Sequence, residues 1–200
     1  MIRVKICGVT TPGDAVLAAE LGASAIGLVF WPGSPRCVDA ARARAIVAAL
    51  PPFVSAVGVF VDQIEASAQL ARDVGLSAVQ FHGDEPAATY RDFPVRVIKA
   101  VTVRDASARE EAAAVPAGAT VLLDAHDRVK RGGTGRVIDW SIAALIARQR
   151  PVILSGGLSA DNAAEAIAAV RPYAIDVSSG VESAPGRKDP AKLRALFAAL

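Results

Sequence analysis

Eight short apolar segments that read as β-strands alternate strictly with eight helical segments along this 200-residue chain. The strands are expected at 3–7, 24–29, 54–61, 78–82, 95–101, 120–123, 152–154 and 174–177, and the helices at 12–21, 39–50, 63–74, 86–92, 104–115, 139–148, 160–170 and 190–199. Such alternation requires parallel strands joined by right-handed crossovers, and eight units close the sheet into a barrel. We therefore predict an α/β fold, a single (β/α)8 TIM barrel spanning residues 1–200. A doubly wound open sheet is the competing architecture, because 200 residues over eight units leave only 25 for each.

The composition narrows the class of protein further. Hydrophobic residues make up 52% of the chain, enough for one domain with a large core. The formal net charge of +2 is too small for a nucleic-acid-binding surface, so no nucleic-acid partner is expected. No signal peptide or apolar run of membrane length is visible, and two cysteines suit a reducing compartment, so we expect no membrane partner and a cytoplasmic location. With two histidines and no CxxC, we predict no metal site and no cofactor.

Two glycine-containing turns stand close together in the last quarter of the chain. The strand at 152–154 leads into Ser155, Gly156 and Gly157 before a helix expected to open at Ser159, and a second turn follows the strand at 174–177. Glycine leaves backbone N–H groups accessible, and a helix N-terminus favours an anion. Either turn alone is more typical of a tight strand–helix corner than of a ligand site. Two together predict a phosphate site, because barrels build such sites from the loops after their last two strands.

Polar side chains interrupt the apolar strands near their carboxyl ends. Side chains alternate between the barrel interior and the helix layer with period two. The polar or ionisable residues assigned to the inward, carboxyl-terminal ends of five strands are Lys5, Cys7, Gln80, His82, Lys99, Asp124 and Asp176. A core built for stability alone would avoid these groups, since burying an unpaired one costs a few kcal/mol. Because barrel enzymes carry their chemistry at this rim, the set predicts an active site.

Five of these residues also have a structural interpretation. Cys7 could be a small core side chain, although Lys5 on the same face would lower its thiol pKa and favour the thiolate. Lys5 could instead pair with an interior carboxylate, as could Lys99. Asp124 could cap a loop, and His82 could donate to a loop carbonyl.

Arg36 stands in a loop flanked by prolines, with no apolar anchor in the sequence. A solvated side chain is one interpretation. The other is that the restricted loop aims the guanidinium at a carboxylate, which Arg binds in a two-pronged geometry. Neighbouring Cys37 is interpreted as an incidental loop residue.

Short motifs with a specific family resemblance run nearly from end to end. They are VKICG (4–8) with Thr10, SPR (34–36), VGVFV (57–61), VQFHG (79–83), IKAV (98–101), LD (123–124), GGTG (132–135) with Asp139 and Trp140, LSGGL (154–158), DVSSGVE (176–182) and PGRK (185–188). Taken together, these motifs resemble the phosphoribosylanthranilate isomerase family of tryptophan biosynthesis. The resemblance implies a TIM-barrel isomerase that performs an Amadori rearrangement of a phosphorylated aminoaldose to a ketose.

The resemblance also implies roles for particular residues. The family's general base matches Cys7 and its general acid matches Asp124, while Arg36 matches the group that holds the substrate carboxylate. The phosphate would bind the backbone N–H groups of Gly156, Gly157, Ser179 and Gly180. Lys5, Gln80, His82 and Asp176 would contact the sugar or tune the catalytic pair, with Asp176 alternatively orienting Cys7 or Lys5. Gly133 and Gly135 would belong to a loop that closes over the substrate.

Two other functions stay open at this point. A related barrel isomerase of the histidine pathway acts on a similar aminoaldose, but that family is expected to use two carboxylates, whereas the first strand here ends in Cys7. A sugar-phosphate binding or regulatory protein without catalysis would have no need of both Cys7 and Asp124. We expect a monomer whose partner is a small-molecule substrate with a phosphate and a carboxylate.

Overall fold

The strands form the closed ring that the alternation predicts. The computed structural model describes residues 2–90, 92–125 and 138–200, and eight parallel strands within them close into a barrel. The barrel strands are β1 (Arg3–Cys7), β2 (Ala25–Val29), β3 (Ser55–Phe60), β4 (Ala78–Phe81), β5 (Arg96–Thr102), β6 (Thr120–Asp124), β7 (Val152–Leu154) and β8 (Ala174–Val177). Each strand pairs with its sequence neighbours, and β8 returns to pair with β1. The closed barrel is confirmed, and the open sheet was the wrong alternative.

Helices cover the outside of the barrel. The α-helices of the described ranges are α1 (Pro12–Glu20), α2 (Ala40–Ala48), α3 (Ile64–Val74), α4 (Ala108–Ala114), α5 (Trp140–Ala147), α6 (Ala163–Val170) and α7 (Pro190–Ala198). Local chemistry sets several of their ends. The side chain of Asp39 accepts from the N–H of Arg42 at the start of α2, and Gly75 ends α3 in the left-handed conformation.

Two predicted helices differ from the structure. The segment after β4 contains a short 3-10 helix, Ala87–Tyr90, in place of an α-helix at 86–92, of which Arg91 lies outside the described residues. The N–H and the hydroxyl group of Thr89 both donate to the carbonyl of Pro86, three residues earlier, which closes a 3-10 turn. The helix expected to open at Ser159 begins at Ala163. The Asn162 side chain binds Ser159 N–H and the Gly157 carbonyl, which holds 157–162 as a turn.

The core has two layers that follow the predicted alternation. Val4, Ile6 and their counterparts in other strands pack outward against the helices, while a smaller cluster that includes Val57, Ile98 and Leu122 fills the barrel interior. The carboxyl-terminal end of the interior therefore remains for polar groups. Within the described part of the chain, no helix is long and apolar enough to cross a membrane.

A small antiparallel hairpin follows β8 and was not predicted. After a 3-10 turn at Ser179–Val181, β9 (Glu182–Ala184) pairs with β10 (Arg187–Lys188), and α7 begins at Pro190. Gly186 makes the turn with a φ of +81°, a conformation that glycine adopts without strain. The hairpin brings two charged side chains, Glu182 and Lys188, beneath the rim beside β1.

Candidate active site

Lys5 and Cys7 lie side by side at the carboxyl end of β1, over the Cα of Gly27 in β2. A Cβ on Gly27 would lie 2.8 Å from Cys7 Sγ and 3.0 Å from Lys5 Nζ, so only glycine leaves room for both groups. Both side chains are buried. The inward direction predicted for them from the period-two pattern is therefore what the structure has.

Lys5 forms a buried ion pair with Asp176 across the β1–β8 seam. Lys5 Nζ is 2.9 Å from Asp176 Oδ1, and the two residues are register partners in the sheet. Burial alone would lower the pKa of Lys5, but the Asp176 carboxylate and Cys7 outweigh burial, so the pKa is raised and Lys5 is a permanent cation. Of the two partners proposed for Asp176 from the sequence, Lys5 is the one that it contacts.

The electrostatics of Cys7 differ from the sequence-based hypothesis. Lys5 does favour the thiolate, as expected, but burial raises the pKa of the Cys7 thiol by more than Lys5 lowers it, and Asp176 raises it further. The net direction is upward. The resting group is therefore a thiol: the effect expected of Lys5 is present, but it does not decide the net direction of the Cys7 pKa.

Asp124 ends β6 on the same rim. Burial and the nearby Asp176 carboxylate raise its pKa from 3.8 to about 6, against smaller opposing effects of the Ala125 N–H group and Lys5. Asp176 and Lys5 thus act electrostatically on both Asp124 and Cys7. A carboxyl group with this pKa can donate a proton near neutral pH.

Arg36 is buried rather than solvated. Its Nε and Nη2 donate to the two carboxylate oxygens of Glu182, at 2.9 and 2.7 Å, and its stem lies across Gly8, where a Cβ would come within 2.4 Å of Arg36 Cδ. Glu182 also accepts from Lys188 Nζ at 2.9 Å and from Gly186 N–H. The loop therefore has a polar anchor, supplied by the hairpin. Cys37, next to Arg36, is exposed.

Strand β4 contributes Gln80 and His82. Gln80 is buried, its Nε2 contacts Nε2 of His82, and its Oε1 has no hydrogen-bond partner among the described residues. A cavity of about 480 Å³ opens beside them, lined in part by His82, Thr102 and Asp124, which is a volume typical of small-molecule sites.

Lys99 does not join the interior group, so the assignment of five strands to it was wrong. It follows Val97 on the outward face of β5, and its Nζ contacts the carbonyl of Gly83 and lies 2.9 Å from Glu85 Oε2. The Glu85 carboxylate in turn accepts from the N–H groups of Asp62 and Gly83. The remaining residues of the predicted inward set therefore come from four strands, β1, β4, β6 and β8.

The two glycine-containing turns after β7 and β8 touch each other. A Cβ on Gly180 would lie 2.0 Å from the carbonyl oxygen of Leu158, so glycine is required for this approach. Gly156 and Gly157 both have positive φ, and Ser179 and Gly180 open a 3-10 turn, whose first N–H groups have no acceptor within the turn. Backbone N–H groups at glycine turns and at the start of a helical turn are of the kind that binds phosphate.

Two of the predicted site residues fall in a part of the chain that the structure does not describe. Gly133 and Gly135, predicted in a closing loop, lie outside the described residues. In ranges 2–90, 92–125 and 138–200, no group of three or more His, Cys, Asp or Glu side chains is arranged to hold a metal ion.

Sequence reasoning missed Glu182, Lys188 and Gly27. Glu182 and Lys188 stand in the quoted motifs DVSSGVE and PGRK, but the sequence carries no signal that they reach Arg36 or the main chain of Cys7. Period-two alternation would have placed Gly27 on the interior face beside Cys7, and that signal could have been used.

The fold and rim together define the class of (β/α)8-barrel enzymes, here with the Cys7 thiol and the Asp124 carboxyl group, both of raised pKa, near a buried ion pair. The model of the N-(5′-phosphoribosyl)anthranilate (PRA) isomerase family matches residues 4–199. An N-(5′-phosphoribosyl)anthranilate isomerase from Geobacter metallireducens is 49% identical over 195 residues, which are 97% of this chain and 96% of that protein. The chain belongs to the N-(5′-phosphoribosyl)anthranilate isomerase family, whose members are isomerases of tryptophan biosynthesis.

Solved structures agree. Monomers generated from the dimeric Thermotoga maritima enzyme superpose with a TM-score of 0.89 at 39% identity, covering 100% of this chain and 98% of that one. A phosphoribosylanthranilate isomerase in complex with reduced 1-(o-carboxyphenylamino)-1-deoxyribulose 5-phosphate gives 0.86 at 41% identity, covering 98% of this chain and 97% of that one.

Proposed function

We propose that this chain converts N-(5-phosphoribosyl)anthranilate into 1-(2-carboxyphenylamino)-1-deoxyribulose 5-phosphate, with Asp124 as general acid and Cys7 as general base. The observation that carries the assignment of roles is the shared ion pair. Lys5 and Asp176 act on both groups from the seam between β1 and β8, and the pKa of Asp124 is raised to about 6. The reaction itself is assigned from the chain's membership of the family.

The first step is opening of the furanose ring. Asp124 in its protonated form donates to the ring oxygen as the bond from that oxygen to C1′ breaks, and the nitrogen lone pair forms the C1′=N bond of a protonated Schiff base. A carboxyl group whose pKa is raised by burial to about 6 can supply this proton near neutral pH.

The second step is transfer of a proton from carbon. The Cys7 thiolate removes the C2′ proton, and the electrons of the C–H bond form C1′=C2′ while the C1′=N bond becomes a single bond. The resulting enolamine then takes a proton at C1′ as its C2′ hydroxyl becomes the ketone. Positive charge on the Schiff base makes the C2′ proton more acidic, so a thiolate is basic enough to remove it.

The ionisation states make the active form a minor one. Because the pKa of Asp124 lies below that of Cys7, the resting pair is a carboxylate with a thiol, whereas the reaction needs a carboxylic acid with a thiolate. The two forms carry the same number of protons, so their ratio does not change with pH. The pH profile of the activity should therefore be flat above about pH 6 and fall below it. Activity should fall again at the alkaline pH where the Cys7 thiol ionises.

Substrate binding divides among the other residues. Arg36 would hold the anthranilate carboxylate, and Gly156, Gly157, Ser179 and Gly180 would hold the phosphate. Lys5, Gln80, His82 and Asp176 would line the sugar, where the Gln80 Oε1 can accept from a hydroxyl group. Gly133 and Gly135 would close over the substrate.

The test is paired substitution with a pH profile. Cys7→Ser and Asp124→Asn should each lower kcat by at least about 10²-fold, the typical contribution of a positioned acid or base. The residual activity of Asp124→Asn should also lose the limb near pH 6. Persistence of that limb in Asp124→Asn would reject Asp124 as the acid, and a parallel assay with the histidine-pathway aminoaldose would separate the related reaction.

We further propose that residues 1–200 act as one catalytic domain, as a monomer in the cytoplasm. Support for a monomer is that the described part of the chain exposes only four large apolar side chains, Phe53, Leu145, Tyr173 and Leu200. Light scattering across a concentration series tests the mass, and a dimer, the state named for the Thermotoga maritima relative, would overturn the proposal.

A further inference from the structure

A buried charge cluster lies beneath the rim, next to Cys7 but outside the acid–base pair. It is built on the hairpin after β8, whose Glu182 carboxylate contacts Arg36, Lys188 and the N–H of Gly186. Glu182 is 6% exposed and Lys188 is 3% exposed, so these charges interact with little solvent screening. Such a cluster is costly to bury, and one far from a ligand would add little that apolar residues could not supply.

The geometry of the Arg36–Glu182 pair leaves one edge of the guanidinium for a ligand. Glu182 takes the edge formed by Nε and Nη2, at 2.9 and 2.7 Å. The adjacent edge, formed by Nη1 and the second hydrogen of Nη2, is not used by Glu182. The planar guanidinium has five N–H donors in a fixed arrangement, so fixing one edge fixes the direction of the other.

Lys188 connects the same carboxylate to the main chain of the base. Its Nζ donates to the carbonyl of Cys7 at 2.6 Å and to that of Ser178 at 3.2 Å, besides Glu182. The Ser178 hydroxyl also donates to the Cys7 carbonyl. The position of the peptide after Cys7 therefore depends on the hairpin, although the two segments are 181 residues apart in sequence.

We propose that Glu182 is a positioning residue that orients Arg36 for an aromatic carboxylate and, through Lys188, holds the backbone of Cys7. The proposal rests on the proposed function, because it takes Arg36 as the group that meets the substrate carboxylate. It adds a specificity determinant: the carboxylate must approach the Nη1–Nη2 edge, end-on to the guanidinium. Lysine could not replace arginine here. A guanidinium can bind one carboxylate at each of two edges in fixed directions, whereas an ammonium group has no such fixed pair of edges.

The experiment compares two ligands in isothermal titration. One is reduced 1-(o-carboxyphenylamino)-1-deoxyribulose 5-phosphate, and the other is the same compound without the carboxyl group. In the wild type, the carboxylated ligand should bind about tenfold tighter or more, the effect of one charge-assisted pair. Glu182→Gln should reduce that ratio severalfold at least, with Glu65→Gln on the exposed face of α3 as the matched control.

The ratio separates positioning from general damage. Equal weakening of both ligands in Glu182→Gln would overturn the proposal, because a merely loosened barrel has no reason to discriminate between them. If Arg36→Ala leaves the ratio unchanged, the carboxylate role of Arg36 in the proposed function fails instead. Arg36→Lys keeps a cation opposite Glu182 and so protects folding; it should lose the ratio as Arg36→Ala does, and a wild-type ratio would also overturn the proposal.

Lys188→Met tests the second arm without touching Arg36. The charged groups that act on Cys7 are Lys5, Asp176, Lys188 and Arg36, and Lys188 favours the thiolate. We expect an unchanged ligand ratio, a several-fold lower kcat, and an alkaline limb of the pH profile moved to higher pH. Wild-type kcat with an unmoved limb would remove Lys188 from the proposal.

Discussion

Asp124→Asn should stabilise the protein at neutral pH while removing most of its activity. The folded state raises the pKa of Asp124 from 3.8 to about 6, chiefly through burial. By linkage, ionising this carboxyl group in the folded state costs about 3 kcal/mol relative to the unfolded chain. Asparagine has nearly the same shape and no charge to desolvate, so the substitution avoids that cost.

The sign follows from the direction of the pKa shift. Below about pH 4 the group is protonated in both states and costs nothing, and as pH rises toward about 6 only the unfolded chain loses the proton readily. The free energy of unfolding of the wild type therefore falls with rising pH relative to the variant. The advantage of Asp124→Asn should grow by about 2 kcal/mol between about pH 4.5 and 7.5.

Urea unfolding at a series of pH values measures this difference directly. Asp105→Asn is the matched control, because the Ser107 hydroxyl and N–H lower the pKa of that exposed carboxyl group and it stays ionised over the range. Its curve should run parallel to the wild type. Parallel curves for Asp124→Asn as well, or an advantage that shrinks as pH rises, would refute the assignment of a raised pKa to Asp124.

Three further substitutions test packing at named contacts. Arg150→Met should lower the free energy of unfolding, measured by urea denaturation, by about 2–3 kcal/mol without changing kcat. The reason is that the Arg150 guanidinium donates to carbonyls at the end of α4, including those of Ala112 and Val115. Arg148→Met, at an exposed position, should have little effect. Gly180→Ala should raise KM about tenfold or more in steady-state assays by separating the two phosphate loops, while Gly118→Ala, with open space around it, should not. Gly27→Ala should lower kcat about 10²-fold with a smaller change in KM, and an unchanged kcat would contradict the contact with Cys7 Sγ.

The barrel could be predicted because its causes are local and repeated. Strands alternate with helices throughout, and residues such as Val4 and Ile6 alternate with Lys5 and Cys7 along one strand. The failures have local causes too. Lys99 shares the outward face of Val97 but was counted with the interior residues. Its ion-pair partner, Glu85, is not apparent from the sequence. The side chain of Asn162 binds its own loop and delays the start of α6.

The part of the site that could not be predicted depends on distant contacts. Arg36 and Glu182 are 146 residues apart, and no periodic pattern relates one to the other. Only closure of the ring brings the hairpin after β8 beside the loop after β2. The direction of the Cys7 pKa was missed for a related reason: the nearby Lys5 is visible in the sequence, whereas the degree of burial that outweighs it is a property of the packed barrel.

The buried ion pair makes a last prediction, because Asp176 raises the pKa of both members of the acid–base pair. Asp176→Asn would remove one negative charge near Cys7 and Asp124 and leave Lys5 as an uncompensated cation, which favours both ionised forms. Both limbs of the kcat/KM profile should therefore move to lower pH together, the acid limb falling from about 6 toward the ordinary value of 3.8. Asp73→Asn on α3 is the control. Limbs that stay in place or move in opposite directions would contradict the view that the ion pair acts electrostatically on both Cys7 and Asp124.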